Sequence, residues 1–512
     1  MSSPRGLDGV LAYLGNPHPS VTVQLLFTLG LAVLGLGSPE VFMMLPVPLY
    51  SCWHAYSPND VGNEWCMGEE LMPSTPTDDD RLVLACAERK WQPFSFPGAV
   101  LAGMRVMVVL VAGLCMDVLG RRRSVVAWMG LYFVVAFSRS FSPNEEAVVL
   151  CVTLEGAAAQ AVTLALLLLA AEGSTQGECV RSVCLVVLGH AVGIGAGAPL
   201  VHHFVDGEVY RQMARSLPAL VFVPFIMALP ESARWAVCRG RPHDATLILK
   251  RSHHMTFDPT MKQKLATLYE EHKESMDHYG CRGHALRESV VPLVRSGRLL
   301  LSALVFMLCG LAYGCAASAR HLFDAVPFMS YEDRQVTFAA FEFIFLLVMG
   351  LTVTRRGVKW VLVGLMSALS IALLLTRVLH KTGILNSCGA YVFISGLGHG
   401  CVVLAGVWLT MGVIRLTPTH SRGFVLGATY SMATLGQIFP YFDVVSAFIW
   451  TGSYLDVFAE IGLWAIVTFV AGLLTLLLPK TPTCLPDTLR HLYRNVQCEK
   501  PDPEEEHENT HL

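Results

Sequence analysis

Charged side chains are scarce in this sequence, and several motifs common in soluble proteins are missing. Only 15% of the 512 residues are Asp, Glu, Lys or Arg, whereas soluble domains carry about 25%. The formal net charge of −3 gives no reason to expect a nucleic-acid partner. No glycine-rich strand-to-helix loop predicts a nucleotide site, and no His, Cys or Asp spacing predicts a metal site. We therefore expect no cofactor, no metal and no enzymatic activity.

Targeting, glycosylation and disulfide signals are also sparse. The first 20 residues are polar and the first apolar run is too long for a signal core, so no cleavable signal peptide is expected. The chain has no Asn-x-Ser/Thr sequon. Its 15 cysteines lie mostly in apolar runs, where a thiol behaves as a small hydrophobe. Only Cys52, Cys66 and Cys86 cluster in a polar segment, which permits at most one disulfide there.

Long apolar runs dominate the chain. A membrane-spanning helix needs about 20 apolar residues, and twelve runs approach or exceed that length. They are 21–49, 96–116, 124–141, 147–171, 182–204, 216–229, 299–319, 335–353, 358–378, 388–412, 424–449 and 455–478. The sequence therefore predicts an all-α membrane protein with twelve transmembrane helices, embedded in a lipid bilayer.

The connecting segments sort by charge. Short basic turns and the basic segment 231–298 fall on one side, whereas the acidic segment 50–95 falls on the other. Because basic loops stay in the cytoplasm, both termini are expected to be cytoplasmic and the 50–95 loop extracellular. The protein is expected in the plasma membrane. The predicted order is a cytoplasmic N-tail (1–20), a six-helix bundle (21–230), a cytoplasmic loop (231–298), a second six-helix bundle (299–479) and a cytoplasmic acidic tail (480–512). The cytoplasmic loop is read as a solvated linker with an amphipathic helix near 259–276.

One basic turn carries a recognisable motif. The pattern Gly113-x-x-x-Asp117-x-x-Gly120-Arg121-Arg122 resembles the signature loop of the major facilitator superfamily of transporters, with Val118 replacing its usual basic residue. Glycines permit close backbone approach, and Asp117 can bind free helix N–H groups or an arginine. A degenerate copy begins at Gly350, which is the internal repeat expected of two pseudo-symmetric halves.

A second motif narrows the resemblance. Pro230-Glu231-Ser232-Ala233-Arg234-Trp235 resembles the signature of the organic cation/anion transporter branch of that superfamily. Trp91-Gln92-Pro93, Pro418-Thr-His-Ser-Arg422 and Leu478-Pro479-Lys480-Thr481 resemble three further stretches of the branch in the same order. The resemblance implies transport of small organic solutes by alternating access, through facilitated diffusion or exchange. Runs 1, 4, 7 and 10 would line the cavity.

The resemblance also implies a network of charges at the inner helix ends. Its expected members are Asp117, Arg121, Glu172, Arg181, Glu231, Arg234, Arg415 and Arg422. Within it we expect one ion pair between Glu172 and Arg181 and a second between Glu231 and Arg234. Such pairs would bias the equilibrium between two conformations. Arg415 and Lys480 stand where the family usually has Glu, so Arg415 is expected to repel its neighbours.

Charges inside the apolar runs mark possible functional sites. Arg105 and Glu155 are expected to neutralise each other structurally, with a functional role as the alternative. Glu342 matches a glutamate of the cation-transporting members.

Tyr313 matches an aromatic residue of the same members, although it could simply pack in the core. Thr434 stands where those members have Asp and the anion transporters have Arg, and Gln437 follows it. These four residues, Tyr313, Glu342, Thr434 and Gln437, are the candidate solute contacts. They imply a neutral, zwitterionic or weakly charged solute, with a mild preference for cations. His190 and His399 are expected to be hydrogen-bonded core residues and not proton relays.

A different class of function stays open. The fold could persist without transport, as in the orphan member of the branch proposed as a lipocalin receptor. The protein would then act as a receptor or scaffold, with an extracellular protein ligand at loop 50–95. The sign reversals at Arg415 and Lys480 and the neutral Thr434 favour this alternative.

Overall fold

The computed structural model describes residues 6–13, 19–37, 96–142, 145–253, 259–279, 285–324, 331–352, 357–381, 388–439, 454–480 and 485–487. All regular structure in these ranges is helical. The first part of the chain contains α1 (Gly6–Tyr13), α2 (Val21–Gly37), α3 (Phe96–Leu119), α4 (Arg121–Arg139), α5 (Glu145–Glu172), α6 (Cys179–Val192), α7 (Ala198–Phe204) and α8 (Glu208–Ala228). A π-helical segment, Gly193–Gly197, joins α6 to α7.

The middle and last parts are also helical. The segment between the halves forms α9 (Ala233–Cys238), α10 (Pro242–His253), α11 (Pro259–Tyr279) and α12 (Ala285–Arg295). The last part contains α13 (Gly297–Asp324), α14 (Tyr331–Thr352), α15 (Val358–Lys381), α16 (Cys388–Leu416), α17 (Arg422–Gly436), α18 (Tyr454–Leu474) and a 3-10 turn at Thr475–Leu477.

Each of the twelve predicted apolar runs contains a helix. By length and composition, five described helical segments could cross a membrane: Leu150–Glu172, Cys179–Phe204, Gly297–Ala319, Val358–Thr376 and Val392–Leu416. The sixth predicted run begins earlier than its apolar residues suggest, because α8 already starts at Glu208. The loop 50–95 and most of the tail 480–512 lie outside the described residues, so the proposed domain boundaries stay a prediction.

The spanning helices form two groups that meet along two seams. The first half contains α2 to α8 and the second contains α13 to α18. Between the halves, α3 packs against α17 and α6 packs against α14. Glycine makes the first seam close: a Cβ at Gly113 would lie 2.5 Å from the carbonyl oxygen of Gly423 and 2.8 Å from the Cα of Gly427. The close approach inferred from the signature glycine is thus a contact between halves.

The segment between the halves is not the solvated linker expected from sequence. Helices α9, α10 and α11 bury Trp235, Leu249 and Leu265 in a small second core. The N-terminal helix α1 completes this core with Leu7 and Leu11. The predicted amphipathic helix is therefore present as α11, and its apolar face is covered by α1, α9 and α10 instead of solvent.

Candidate functional site

The two halves are tied together at the end of the bundle that carries the basic turns, which we call the basic face. Here Asp117, at the end of α3, lies against the first turn of α17. Its carboxylate oxygens accept hydrogen bonds from the N–H groups of Gly423 at 3.0 Å and Phe424 at 2.8 Å. The first turn of a helix has free N–H groups that favour a negative partner. The signature aspartate of the first half therefore caps a helix of the second.

Glu231 caps α4, the helix that begins within the same motif. Gly120 has a φ of +105°, a conformation that favours glycine, and it leads directly into α4. The Glu231 carboxylate accepts the N–H groups of Arg121 at 2.9 Å and Arg122 at 3.1 Å. Glu231 is thus a helix cap, and the ion pair expected between it and Arg234 is not the contact that the structure forms.

Glu172 is the centre of the network. One carboxylate oxygen lies 3.1 Å from Arg121 Nε, and the other lies 3.1 Å from Arg422 Nη1. Ser232 Oγ donates a third bond to it at 2.5 Å. All three charged side chains are fully buried. Because Arg422 belongs to the second half, this pairing crosses the seam. Arg121 crosses it too, donating to the Thr419 carbonyl at 2.8 Å.

Arg181 lies outside this network, which corrects the expected Glu172–Arg181 pair. Arg121 and Arg422 occupy the Glu172 carboxylate. Arg181 instead bonds Glu178, three residues earlier, at 3.1 Å, and its side chain is 45% exposed. The sequence placed both residues in one turn, but it could not show that α6 directs Arg181 outward.

Arg234 binds both ends of the chain. Its guanidinium contacts the carboxylates of Asp8, in α1, and Asp487, at 2.6 Å, and donates to the Glu172 carbonyl at 3.0 Å. Burial lowers the pKa of Arg234, but the two carboxylates outweigh this and raise it above its usual value. Sequence reasoning missed Asp8 and Asp487. The repeated Leu-Pro-x-Thr motif around Asp487 was a visible signal, but it did not reveal the partner.

Arg415 joins the halves, contrary to the repulsion expected of it. Its Nη2 donates to the Gln176 carbonyl at 2.8 Å, in the turn after α5. Its guanidinium also lies over the ring of Trp408, 5.9 Å from the centroid. A cation can be held by carbonyl oxygens and an aromatic face without a carboxylate partner. Arg415, whose charge is opposite to that of the glutamate usual in the family, therefore makes its own hydrogen bond across the seam.

The charges inside the first half form a separate cluster. Glu155 lies 3.2 Å from Arg139, a partner that the sequence did not suggest. The Arg105 guanidinium lies against α5 at Gly156, where a Cβ would be 3.3 Å from Nη2. The expected neutralisation of Arg105 by Glu155 stays a prediction.

A second polar group lies deeper in the bundle and was not predicted as a unit. Glu342 Oε1 is 3.0 Å from His190 Nδ1, and Oε2 is 3.2 Å from His399 Nε2. All three side chains are buried to 1% exposure or less. Phe338 stacks on the His399 ring with centroids 4.7 Å apart. Glu342 is therefore not a lone carboxylate, and the two histidines are not separate core residues. We call these three residues the Glu342 triad.

The remaining candidates surround an aromatic pair in the second half. Tyr313 is buried and packs edge-on against Tyr430, with centroids 6.4 Å apart. Tyr430 donates to the Gly406 carbonyl at 2.8 Å, and Thr434 donates to the Tyr430 carbonyl at 2.9 Å. The Thr434 hydroxyl is thus bonded within its own helix.

Gln437 and Gln160 have buried side-chain amide atoms that make no hydrogen bond among the described residues. In the described part of the chain, Gln437 Nε2 has no hydrogen-bond partner, and neither has the side-chain amide of Gln160 in α5. Buried polar atoms are nearly always paired.

The buried polar side chains of the Glu342 triad, Tyr313, Thr434, Gln437 and Gln160, which we call the polar layer, lie well away from the basic face. A helix rises about 1.5 Å per residue, so His190 is about 16 Å along α6 from its basic-face end, and Gln160 is about 18 Å along α5 from its own. Glu342 lies about 15 Å from the end of α14 by the same measure. The molecule therefore has a closed charged layer at one end and a polar layer near mid-depth.

Known proteins share both the sequence pattern and the fold. A model of the family described as "Sugar (and other) transporter" matches residues 98–318. The human protein "Organic cation/carnitine transporter 2" is 23% identical over 402 residues, covering 75% of this chain and 66% of that protein. A Drosophila melanogaster protein, "Organic cation transporter protein", is 24% identical and covers 73% and 66%. The proton:xylose symporter XylE of the major facilitator superfamily, bound to 6-bromo-6-deoxy-D-glucose, superposes with a TM-score of 0.65 at 14% identity, covering 92% and 98%.

The chain is similar in sequence to solute carrier family 22 transporters, and it shares the fold of the major facilitator superfamily protein XylE. These similarities agree with the predicted family resemblance and confirm the predicted all-α fold of a membrane protein. The aligned region spans just under two thirds of the length of the human and fly relatives.

Proposed function

We propose that this protein carries a small organic solute across a membrane by alternating access. In this proposal the basic face is cytoplasmic, both termini are cytoplasmic, and the membrane is the plasma membrane. The excess of Lys and Arg in the basic turns supports that orientation. The protein is a transporter-type membrane protein and not an enzyme.

The observation that carries the proposal is the set of polar contacts across the seam at the basic face. Asp117 caps α17, Glu172 binds Arg422, and Arg415 binds the turn after α5. Each contact joins side chains or helix ends of different halves, so relative motion of the halves would break them together. Contacts present in one arrangement and absent in another bias a two-state equilibrium. Their position at one end makes them a gate.

The polar layer supports a solute with little fixed charge. In this proposal Gln437 and Gln160 contribute amide groups and Tyr313 contributes an aromatic ring, all three being buried in the described structure. Thr434 supplies no charge, and two imidazoles accompany the Glu342 carboxylate. A neutral or zwitterionic amphipathic molecule meets these groups best. A quaternary ammonium zwitterion such as carnitine is the first compound to test, because aromatic faces hold such cations.

Uptake by purified protein in proteoliposomes tests the proposal. The panel contains one organic cation, one organic anion, carnitine and one neutral steroid. We expect saturable uptake of at least one compound. Arg422→Ala should abolish it by leaving buried Glu172 with one arginine fewer. Arg181→Ala is the matched control, because this arginine is half-exposed and bonded only within α6 and its preceding turn.

A negative result has a definite meaning. Absence of uptake for the whole panel, with monodisperse protein, would contradict transport of these solute classes. It would favour the receptor or scaffold alternative, and binding partners of loop 50–95 would then be sought. Equal loss of uptake in both arginine variants would instead contradict the gate.

A further inference from the structure

We propose that the Glu342 triad binds a proton, and that this proton stabilises the conformation in which the basic face is closed. The inference rests on the proposed alternating access and adds a coupling ion to it. It assigns the proton-binding role to His190, Glu342 and His399 together, not to any one of them.

The charge of the triad provides the first argument. Each N–O contact, at 3.0 Å and 3.2 Å, requires a hydrogen between the two atoms. With the carboxylate ionised and both imidazoles neutral, His190 donates from Nδ1 and His399 donates from Nε2, and the triad carries one negative charge. A net charge buried among apolar helices is costly. One further proton, taken from water onto the second nitrogen of either ring, forms an imidazolium that neutralises the carboxylate.

The position of the triad provides the second argument. His190 lies in α6 of the first half, whereas Glu342 and His399 lie in α14 and α16 of the second. Motion of one half against the other changes the His190–Glu342 distance. The proton affinity therefore differs between conformations, and it is highest where the triad is assembled. By linkage, a ligand that binds one conformation more tightly shifts the equilibrium towards it.

His190 is fixed firmly within the first half. A Cβ added at Gly189 in α6 would lie 2.0 Å from the carbonyl oxygen of Thr28 in α2. A Cβ added at Gly35 in α2 would lie 2.4 Å from the carbonyl oxygen of His190, so the backbones of α6 and α2 are in contact. The π-helical segment Gly193–Gly197 follows His190 within one turn. Such segments are frequent at functional sites. His190 therefore moves with α2 when the halves move.

Other titratable groups near the triad do not compete in the same pH range. Among the described residues, Tyr313 in α13 interacts electrostatically with Glu342, and Tyr430 in α17 lies behind Tyr313. Cys184 lies on α6 and Cys401 on α16. Phenols and thiols ordinarily titrate above pH 8. These phenols and thiols would therefore not produce a response between pH 6 and pH 8, and Glu342→Gln tests whether such a response belongs to the triad.

A native thiol reports the conformation without any transported solute. Cys179, at the basic-face end of α6, is fully buried, and its Sγ lies 3.9 Å from Met411 Sδ in α16. Because this contact crosses the seam, N-ethylmaleimide should reach Cys179 only when the basic face opens. The rate would be measured on purified protein in nanodiscs at pH 6 and pH 8, by mass spectrometry of the Cys179 peptide.

The labelling rate of Cys179 in the wild type is divided by the rate in Glu342→Gln at each pH. This ratio removes the pH dependence of the thiol reaction, which is the same in both proteins. We expect the wild-type rate, relative to this variant, to fall at least threefold from pH 8 to pH 6. His190→Gln should lose the response in the same way, and it carries the test if Glu342→Gln does not fold. His203→Gln and Glu270→Gln are matched controls, since both residues are exposed, and they should respond like wild type.

The outcomes separate this inference from the proposed transport. A ratio that is the same at both pH values would overturn the proton site, even if uptake is observed. Loss of the response in His203→Gln would overturn it as well, because the effect would not belong to the triad. A response that requires Glu342 and His190 would support the site even in a protein that takes up none of the solutes tested.

Discussion

The Asp117 carboxylate accepts the N–H of Gly423 at 3.0 Å, so an acidic residue of the first half caps a helix of the second. This contact explains why the signature turn needs a carboxylate at that position. In the proposed transport cycle, the stability of the closed basic face would therefore depend on a helix cap shared by the two halves.

Asp117→Asn should open the basic face more often. Asparagine has one acceptor oxygen instead of two and no charge, and loss of an N-cap costs about 1 kcal/mol. We therefore expect the Cys179 labelling rate to rise about fivefold, since 1.4 kcal/mol corresponds to about tenfold. Asp244→Asn is the control, because Asp244 is 56% exposed and lies in α10. An unchanged rate in Asp117→Asn would contradict the gating role of the cap.

Gly113→Ala should separate α3 from α17. The added Cβ would lie 2.5 Å from the Gly423 carbonyl oxygen, which is backbone and cannot rotate away. We expect faster labelling of Cys179 and a marked loss of uptake.

Gly103→Ala is the matched control for this change, because it lies in the same helix. No described atom lies within 4 Å of the Cβ it would add. Equal effects of the two substitutions would point to helix propensity in α3 as the cause instead of the seam.

Gln437→Leu should separate solute binding from stability. The Gln437 Nε2 is buried without a hydrogen-bond partner among the described residues, so replacing it with an apolar group removes a desolvation cost. We expect an unchanged or higher melting temperature together with a KM raised several-fold. The paired measurement is thermal unfolding and concentration-dependent uptake of the same preparation. A lower melting temperature with an unchanged KM would contradict a role in solute binding.

Acid should destabilise the small second core through His272. Burial, and then the charge of Arg239, lower the pKa of His272 to about 4, and burial keeps the pKa of the neighbouring His420 well below its usual range. Their rings lie 5.5 Å apart. Unfolded histidine titrates near pH 6.5, so the unfolded chain binds more protons below that pH. Stability is therefore complete above pH 6.5 and falls towards pH 4, by about 2 kcal/mol at pH 5 for one such group.

Thermal unfolding at pH 7.5 and pH 5 measures this loss. His272→Phe should reduce the acid-induced fall in melting temperature, because it removes one of the two titrating rings. His243→Gln should not, since His243 is 71% exposed. The idea would be wrong if all three proteins lost the same number of degrees.

Asp487→Ala should release the C-terminal tail from Arg234. The side chain of Asp487 binds Arg234 at 2.6 Å, and its backbone carbonyl lies 3.7 Å from Cys238 Sγ. Burial raises the pKa of the Cys238 thiol to about 12, which makes it unreactive. We expect N-ethylmaleimide to modify Cys238 at least tenfold faster in the variant.

Asp277→Asn, which changes an exposed acidic residue of α11, is the control for tail release. The double variant Asp8→Ala/Asp487→Ala should be less stable than the two single effects predict, because Arg234 would then be buried without either carboxylate. Additive effects would show that the two tails are held independently.

The sequence by itself determined the class of protein, the twelve apolar runs and the family resemblance. Hydrophobic length, loop charge and short motifs are local properties, and each can be read without knowing which helices touch. The close approach at Gly113 followed from the same local logic, since a glycine beside an aspartate in a helix-end turn implies a backbone contact.

Only the tertiary structure decided which charges meet. Glu172 and Arg422 are 250 residues apart, and Glu342 and His190 are 152 residues apart. A pair close in sequence, Glu172 and Arg181, seemed the natural choice, but helix direction sends Arg181 outward while two distant arginines fill the carboxylate. Side-chain pairing between helices depends on rotation about each helix axis and on depth in the bundle. Neither quantity is encoded in a short stretch of residues, and for this reason the gate and the Glu342 triad emerged from the fold alone.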